Sequence, residues 1–232
     1  MDISKVIINF QDLLSRIADP GRAIAMRAYM KNHFEFLGIS APERRKASAA
    51  GIKDLKTATA TQLLEIARAL WECSEREYQY LAIDILAKHW RRLGAEDLPA
   101  LLELVQQKSW WDSVDGLAGV IGDVLRKNVE EGRQIQVSMD EALQHEDFWV
   151  KRIAILHQLG WREQTDVDRL FNYALALADE KEFFIRKAIG WALRDYAWHD
   201  PAAIRAFLHQ NKDKFSGLTL REAAKNLDKL GN

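Results

Sequence analysis

The fold is decided by the stretch Phe148-Trp-Val-Lys-Arg-Ile-Ala-Ile155, which recurs 35 residues later as Phe183-Phe-Ile-Arg-Lys-Ala-Ile-Gly190. Thr219-Leu-Arg-Glu222 lies about 35 residues further on, and Tyr78 opens a helix start of similar composition 70 residues upstream. A period of about 35–40 residues with two helices per unit is typical of α-solenoids. We therefore predict an all-α solenoid of HEAT-like helical repeats whose inner helices line a concave face. The alternative is a plain helical bundle in which two helices resemble each other by coincidence.

Helix starts recur along the whole chain. Ser/Thr-x-x-Glu capping boxes precede apolar-periodic runs at Ser40–Glu43, Ser74–Glu77, Ser138–Glu141 and Thr219–Glu222. With only 4 prolines and 12 glycines, no strand is needed. The predicted helices lie near 4–17, 22–36, 42–50, 61–71, 75–91, 97–107, 110–127, 138–145, 148–160, 165–178, 182–197, 201–210 and 219–230. The connections are short and no low-complexity linker occurs, so we predict one HEAT-like repeat domain over residues 1–232.

Bulk composition excludes several classes of protein. The 232 residues include 33 basic and 34 acidic side chains, a net charge of −1, so contact with nucleic acid must depend on local clusters of charge. A single cysteine, Cys73, excludes a disulfide framework and a cysteine-rich zinc site. No His-Glu-x-x-His spacing or glycine-rich phosphate loop occurs, so we expect neither a metal nor a cofactor. Without a signal peptide or a long apolar run, we expect a cytoplasmic protein outside the membrane.

Two tryptophans and two carboxylates crowd the stretch Lys108-Ser-Trp-Trp-Asp-Ser-Val-Asp115, at the start of a long helical pattern. Ser109 and Asp112 suit the helix start. An apolar stripe that should face the core is formed by Trp110, Val114, Leu117, Ile121 and Leu125. Trp111 and Asp115 share another face of the helix. Asp115 has no capping task, so it is a candidate functional acid; the alternative is an ordinary solvated or salt-bridged carboxylate.

Basic residues recur with the period of the repeat. Lys151 and Arg152 precede Arg186 and Lys187 by 35 residues, and Arg221 follows at the same phase. Cations at helix starts gain nothing from the helix dipole, whereas a regular cationic row suits a phosphate backbone. We therefore predict a row of positive charge that suits a phosphate backbone. The alternative is that these charges are solvated and paired with neighbouring acids.

Three segments together resemble one family closely: Lys108–Asp115, Tyr29-Met-Lys-Asn-His-Phe34 with Pro42-Glu-Arg-Arg45, and Phe183–Tyr196. They are similar to the AlkD-type DNA alkylation-repair glycosylases, and the resemblance runs from about residue 5 to 230. It implies HEAT-like repeats that cup double-stranded DNA and an enzyme that excises positively charged N3- and N7-alkylated purines. The solenoid prediction depends on periodicity alone and agrees with the resemblance.

The resemblance also implies roles for particular residues. The implied catalytic residues are Trp111, Asp115 and Trp191. The implied DNA-binding residues are Tyr29, Arg152 and Arg194, with Arg44, Arg45 and Lys187 as further candidates. Mild departures are Asp195, where glutamate is common, and Ile153; they bear on substrate range. Taken singly, a tryptophan in an apolar helix is more often a packing residue, and Tyr29 could be a partly buried aromatic side chain.

We therefore expect a monofunctional alkylpurine DNA glycosylase that acts in base excision repair, without a Schiff-base lysine and without strand cleavage. Its partner would be duplex DNA containing alkylated purines. We expect a monomer in the cytoplasm, associated with the nucleoid if the source is bacterial. The rivals are a catalytically inactive HEAT-like DNA-binding paralogue, which the intact Asp115 argues against, and a protein-interaction scaffold, the common use of such solenoids.

Overall fold

A computed structural model describes residues 1–130, 136–225 and 227, with the backbone alone at 128–130. Within these ranges the chain forms thirteen α-helices, short 3-10 turns and one isolated parallel bridge between Glu35 and Glu75, but no strand. The helices are α1 Ile3–Ser15, α2 Pro20–Tyr29, α3 Ala41–Asp54, α4 Ala60–Glu72, α5 Arg76–His89, α6 Leu98–Val105, α7 Trp111–Glu130, α8 Val137–Leu143, α9 Phe148–Leu156, α10 Val167–Ala176, α11 Phe183–Ala197, α12 Pro201–Asn211 and α13 Gly217–Ala224. The predicted all-α helical-repeat fold is confirmed.

The chain divides into two compact units, Met1–Leu104 and Val105–Asn232. In the first, α4 and α5 pack side by side and contribute fully buried side chains to the core. In the second, α9 packs against both α7 and α11, and α11 also packs against α13. No described helix has the length and apolar character that a membrane crossing requires.

The apolar stripe predicted for α7 forms the core of the second unit. Val114, Leu117, Ile121 and Leu125 are all inaccessible to solvent. Trp110, just before the helix, is only partly buried and packs its ring on Trp149 and Phe184. Because the stripe occupies one face of α7, Trp111 and Asp115 lie together on a different face.

The second helix is shorter than predicted. It ends at Tyr29, because Lys31 and Asn32 adopt left-handed backbone conformations with φ of 54° and 60°. The chain then runs extended, and the backbone N–H groups of Leu37, Gly38 and Ile39 donate to the buried carboxylate of Glu77. The predicted Ser74–Glu77 capping box is therefore wrong: Glu75 precedes α5, and Glu77 anchors the loop instead.

Two other predicted capping boxes are also wrong, whereas Ser40–Glu43 is confirmed. Gln136 precedes α8, so Ser138 lies inside that helix. Ser216 precedes α13 and its hydroxyl accepts from the N–H of Thr219, which places Thr219 and Glu222 within the helix. Most of the predicted extension of this helix towards residue 230 lies outside the described residues.

Candidate functional site

Asp115 of α7 is held by Arg152 of α9. The Nε of Arg152 donates to Oδ1 of Asp115 at 2.7 Å, and its Nη2 donates to Oδ2 at 2.9 Å. The remaining guanidinium nitrogen, Nη1, donates to the backbone carbonyl of Phe184 at the start of α11. The side chain of Arg152 is 1% exposed, whereas that of Asp115 is 25% exposed. Arg152 therefore presents a rigid two-point clamp to a carboxylate that keeps some access to solvent.

Two opposing effects act on the acid. Burial penalises the charged form and raises the pKa of Asp115 above its ordinary value, and the nearby Asp112 adds to this shift. The hydrogen bonds and positive charge of Arg152 oppose the shift. The carboxylate of Asp115 is therefore incompletely hydrated, and Arg152 is the neighbour that opposes the rise in its pKa. Such a group can interact strongly with a positive charge that develops beside it.

Trp191 of α11 lies next to this pair. The guanidinium carbon of Arg152 is 5.2 Å from the centroid of the Trp191 ring, so Arg152 is a shared neighbour of Asp115 and Trp191. Trp111 is the first residue of α7, one turn before Asp115, and is partly buried. The sequence-predicted acid and Trp191 thus meet at Arg152, and Trp111 lies on the same helix as the acid.

The carboxylate of Glu222 on α13 was not predicted as part of the site. It accepts hydrogen bonds from three residues of α11, namely Lys187, Trp191 and Arg194. Lys187 Nζ donates at 2.9 Å, Trp191 Nε1 at 3.1 Å and Arg194 Nη1 at 2.9 Å. Lys187 Nζ is also 5.2 Å from the centroid of the Trp191 ring. Glu222 was not a predicted site residue, because a glutamate in the pattern Thr-x-x-Glu is typical of a helix cap.

The predicted contact of Arg152 with a DNA phosphate stays a prediction. In the structure its guanidinium faces Asp115 and Phe184 and is buried. Lys187 and Arg194, with side chains 22% and 23% exposed, retain partial access to solvent.

An aromatic cluster surrounds the helix starts next to Arg152. Trp149 packs its ring 4.9 Å from that of Phe184 and 4.6 Å from that of Phe148, measured between centroids. Trp110 packs on Trp149 and Phe184 at 5.9 and 5.1 Å. These contacts hold the starts of α9 and α11 together, which fixes the Phe184 carbonyl that Arg152 binds. The cluster also explains why Trp149 is almost fully buried.

The remaining predicted DNA-binding residues lie in the first unit. Tyr29, at the end of α2, is 73% exposed. Arg44 and Arg45 of α3 both pair with Asp84 of α5, at 3.0 and 3.2 Å. The side chain of Arg44 is only 6% exposed and lies over the ring of Tyr80, whereas that of Arg45 is 67% exposed. The side chain of Arg44 is therefore buried against its neighbours, whereas those of Tyr29 and Arg45 are exposed, and the predicted contacts of all three with DNA stay predictions.

Among the described residues, no group of three or more histidine, cysteine, aspartate or glutamate side chains is arranged to hold a metal ion.

The acids that pair with the predicted cations lie about one repeat away from them in the sequence. Glu222 lies 35 residues after Lys187, Asp84 lies 40 residues after Arg44, and the acid–base pair of Asp115 and Arg152 spans 37 residues. A search for acids one repeat away from each predicted cation would have found Glu222 and Asp84.

Comparisons with known proteins identify the family of this chain. A family model described as DNA alkylation repair enzyme matches residues 10–227. The chain is 35% identical to a solved structure titled "Predicted DNA alkylation repair enzyme from Enterococcus faecalis", with a TM-score of 0.84 over 91% of this chain and 97% of that one. No curated protein sequence matches significantly. The extent of the family match shows that this chain belongs to the DNA alkylation repair enzyme family.

Proposed function

We propose that the protein is a DNA glycosylase that excises positively charged N3- and N7-alkylated purines, such as 3-methyladenine and 7-methylguanine, from double-stranded DNA. The observation that carries this proposal is the partly exposed carboxylate of Asp115, clamped by Arg152 beside the ring of Trp191. Membership of the DNA alkylation repair family supports DNA as the substrate.

The reaction is hydrolysis of the bond between the sugar C1′ and the purine nitrogen. Both electrons of that bond leave with the base, which becomes neutral, so departure of an alkylated purine needs no strong general acid. Positive charge develops on the deoxyribose, and a water oxygen then bonds to C1′ and gives up a proton. Asp115 stabilises the developing charge and orients the water.

The tryptophans act through their ring faces. Aromatic faces attract cations, with about 0.5–2 kcal/mol per contact depending on desolvation. Trp191 and Trp111 therefore flank the sugar, which is uncharged in the ground state, and favour the transition state in which positive charge develops on it. Arg152 contributes by holding the Asp115 carboxylate in one orientation through two hydrogen bonds.

The enzyme is monofunctional, because no lysine is needed as a nucleophile, and it generates an abasic site for base excision repair. Tyr29, Arg45, Lys187 and Arg194 contact the DNA, and the protein works as a monomer in the cytoplasm. Exposure of Tyr29 and Arg45 supports their part in this assignment.

The decisive experiment is release of 7-methylguanine and 3-methyladenine from methylated duplex DNA, with the wild type beside Asp115→Asn. We expect release by the wild type, and in the variant a single-turnover rate lower by about a hundredfold or more, because the developing cation loses its charged partner. DNA affinity should remain close to that of the wild type. Intact strands after release would support the monofunctional assignment.

A second variant is needed to separate loss of chemistry from loss of stability, because Arg152, the partner of Asp115, is buried. Asp115→Asn leaves the Arg152 charge facing a neutral amide, so we expect a lower melting temperature. Asp115→Asn/Arg152→Met removes both charges and should recover stability without recovering excision. Folded wild type that binds duplex DNA without releasing a base would make the protein a catalytically inactive paralogue. Failure to bind duplex DNA would favour a protein scaffold.

A further inference from the structure

Glu222 is the acid on which three side chains of α11 converge. Its own side chain is 15% exposed, and its carboxylate accepts from Lys187, Trp191 and Arg194. The Oε1 atom takes the lysine, and Oε2 takes both the indole and the arginine. Because the indole has a single N–H donor, this contact uses all the hydrogen-bonding capacity of Trp191.

Close packing of α11 on α13 puts the carboxylate there. A Cβ built on Gly190, the residue before Trp191, would lie 2.5 Å from Cβ of Glu222 and 3.0 Å from the carbonyl oxygen of Thr219. Only a residue without a side chain allows this approach. Because Gly190 has no Cβ, the backbone of α13 can lie close enough to α11 for Glu222 to reach the indole of Trp191.

The surrounding cations keep Glu222 charged. Hydrogen bonding to Lys187 lowers the pKa of Glu222 most, burial opposes this, and Trp191 and Arg194 lower it further. A charged acceptor makes a stronger hydrogen bond than a neutral one. The indole is therefore restrained at its nitrogen edge, while Lys187 and Arg152 each lie 5.2 Å from the ring centroid.

We propose that Glu222 is a positioning residue, which holds the indole of Trp191 at the angle needed to face the sugar while the same carboxylate restrains Lys187 and Arg194 beside it. The proposal rests on the glycosylase function assigned to Trp191. It adds a residue of α13 to a site otherwise built from α7, α9 and α11. The geometric part, a carboxylate that orients the indole, can be tested without any substrate.

The substrate-free test uses the indole N–H signals of the eight tryptophans in protein labelled with ¹⁵N at tryptophan. Trp191→Phe identifies the Trp191 signal by its disappearance. Glu222→Ala should move that signal upfield and speed its exchange with water by about tenfold, as expected for loss of one partly buried hydrogen bond. An unmoved signal would overturn the proposal.

The kinetic test uses single-turnover excision at saturating enzyme, which removes effects on DNA affinity. Glu222→Ala should lower the rate by about tenfold, the equivalent of one hydrogen bond, whereas Glu222→Gln should keep it within about twofold because the amide oxygen can still accept from the indole. In a Trp191→Phe background, which keeps an aromatic side chain but removes the N–H donor, Glu222→Ala should change the rate by less than about twofold. An equal effect in both backgrounds, or an equal loss in Glu222→Gln, would overturn the proposal.

The matched control is Asp140→Asn. Asp140 is another carboxylate of the second unit that accepts from an arginine and an aromatic side chain, Arg169 and the Tyr173 hydroxyl. We expect this change to leave both the Trp191 signal and the excision rate unaltered. If the wild type itself releases no base, the glycosylase assignment fails, and the spectra still decide whether Glu222 orients the indole.

Discussion

At the scale of single residues, the chemistry depends on how one carboxylate is solvated. Burial raises the pKa of Asp115, and the neighbouring Arg152 opposes this rise. Arg152 can have this effect because it is itself buried and has its third nitrogen fixed by the Phe184 carbonyl. A mobile surface arginine would lose much of this interaction to screening and side-chain entropy. The buried clamp therefore opposes the rise in the pKa of Asp115 that burial causes.

This balance predicts a particular pH profile. If ionised Asp115 is needed, excision should fall as the pH is lowered through the pKa of Asp115, which lies above the ordinary value for aspartate. Arg152→Met removes the effect that lowers this pKa, so the acidic limb of the profile should move to higher pH. Single-turnover excision measured across the pH range, with both proteins checked for folding by circular dichroism, tests this.

The reference for the pH profile is Glu180→Gln, which removes the partner of Lys151, the residue beside Arg152. Its acidic limb should coincide with that of the wild type. A limb that does not move in Arg152→Met would mean that Asp115 is not the titrating group.

At the scale of helices, one contact determines whether the site is complete. The α11–α13 pair meets at Gly190, and this packing brings Glu222 to Trp191. Gly119 of α7 is also a helical glycine, but a Cβ there would meet nothing within 4 Å. Close packing therefore requires glycine at position 190, whereas position 119 has room for a side chain.

Gly190→Ala should destabilise the protein by about 1–3 kcal/mol, because the added methyl group forces α13 away from α11. Gly119→Ala, the matched control, should stabilise it by about 0.5–1 kcal/mol through lower backbone entropy of the unfolded chain. Urea unfolding followed by circular dichroism measures both. Equal effects of the two changes would contradict the close packing at Gly190.

At the scale of the whole molecule, charge is organised by the repeat. Arg152 and Lys187 of the predicted basic row are paired with Asp115 and Glu222, about one period away. Arg44, a further candidate for DNA binding, is paired in the same way with Asp84. The alternative that the sequence left open was solvated charges paired with acids; these three cations are paired, but Arg152 and Arg44 are buried. With a net charge of −1, attraction to DNA then depends on cations that keep access to solvent, such as Arg45.

Duplex DNA binding should therefore weaken with salt, and Arg45→Ala should reduce the slope of log K against log salt by about 0.9, the loss of one phosphate contact. Arg68→Ala is the control, because Arg68 is about half exposed and paired with Glu103 but is not assigned to DNA. Its slope should match the wild type. Fluorescence anisotropy with an unmodified duplex measures these slopes, and identical slopes for all three proteins would remove Arg45 from the interface.

Local patterns in the sequence determined the helical class, the repeat period and the buried stripe of α7, because each depends only on spacing along the chain. The position of Asp115 away from that stripe followed from the same geometry. Helix ends were less predictable: α2 stops at Tyr29, just before the left-handed residues Lys31 and Asn32. The segment that follows is bound by Glu77, 40 residues away from Leu37. Only tertiary structure decided that Glu77 and Glu222 serve as acceptors for distant groups, since a glutamate three residues after serine or threonine suits a cap equally well. It also decided that Arg152 clamps Asp115, because the partner of a charge depends on which helices pack together.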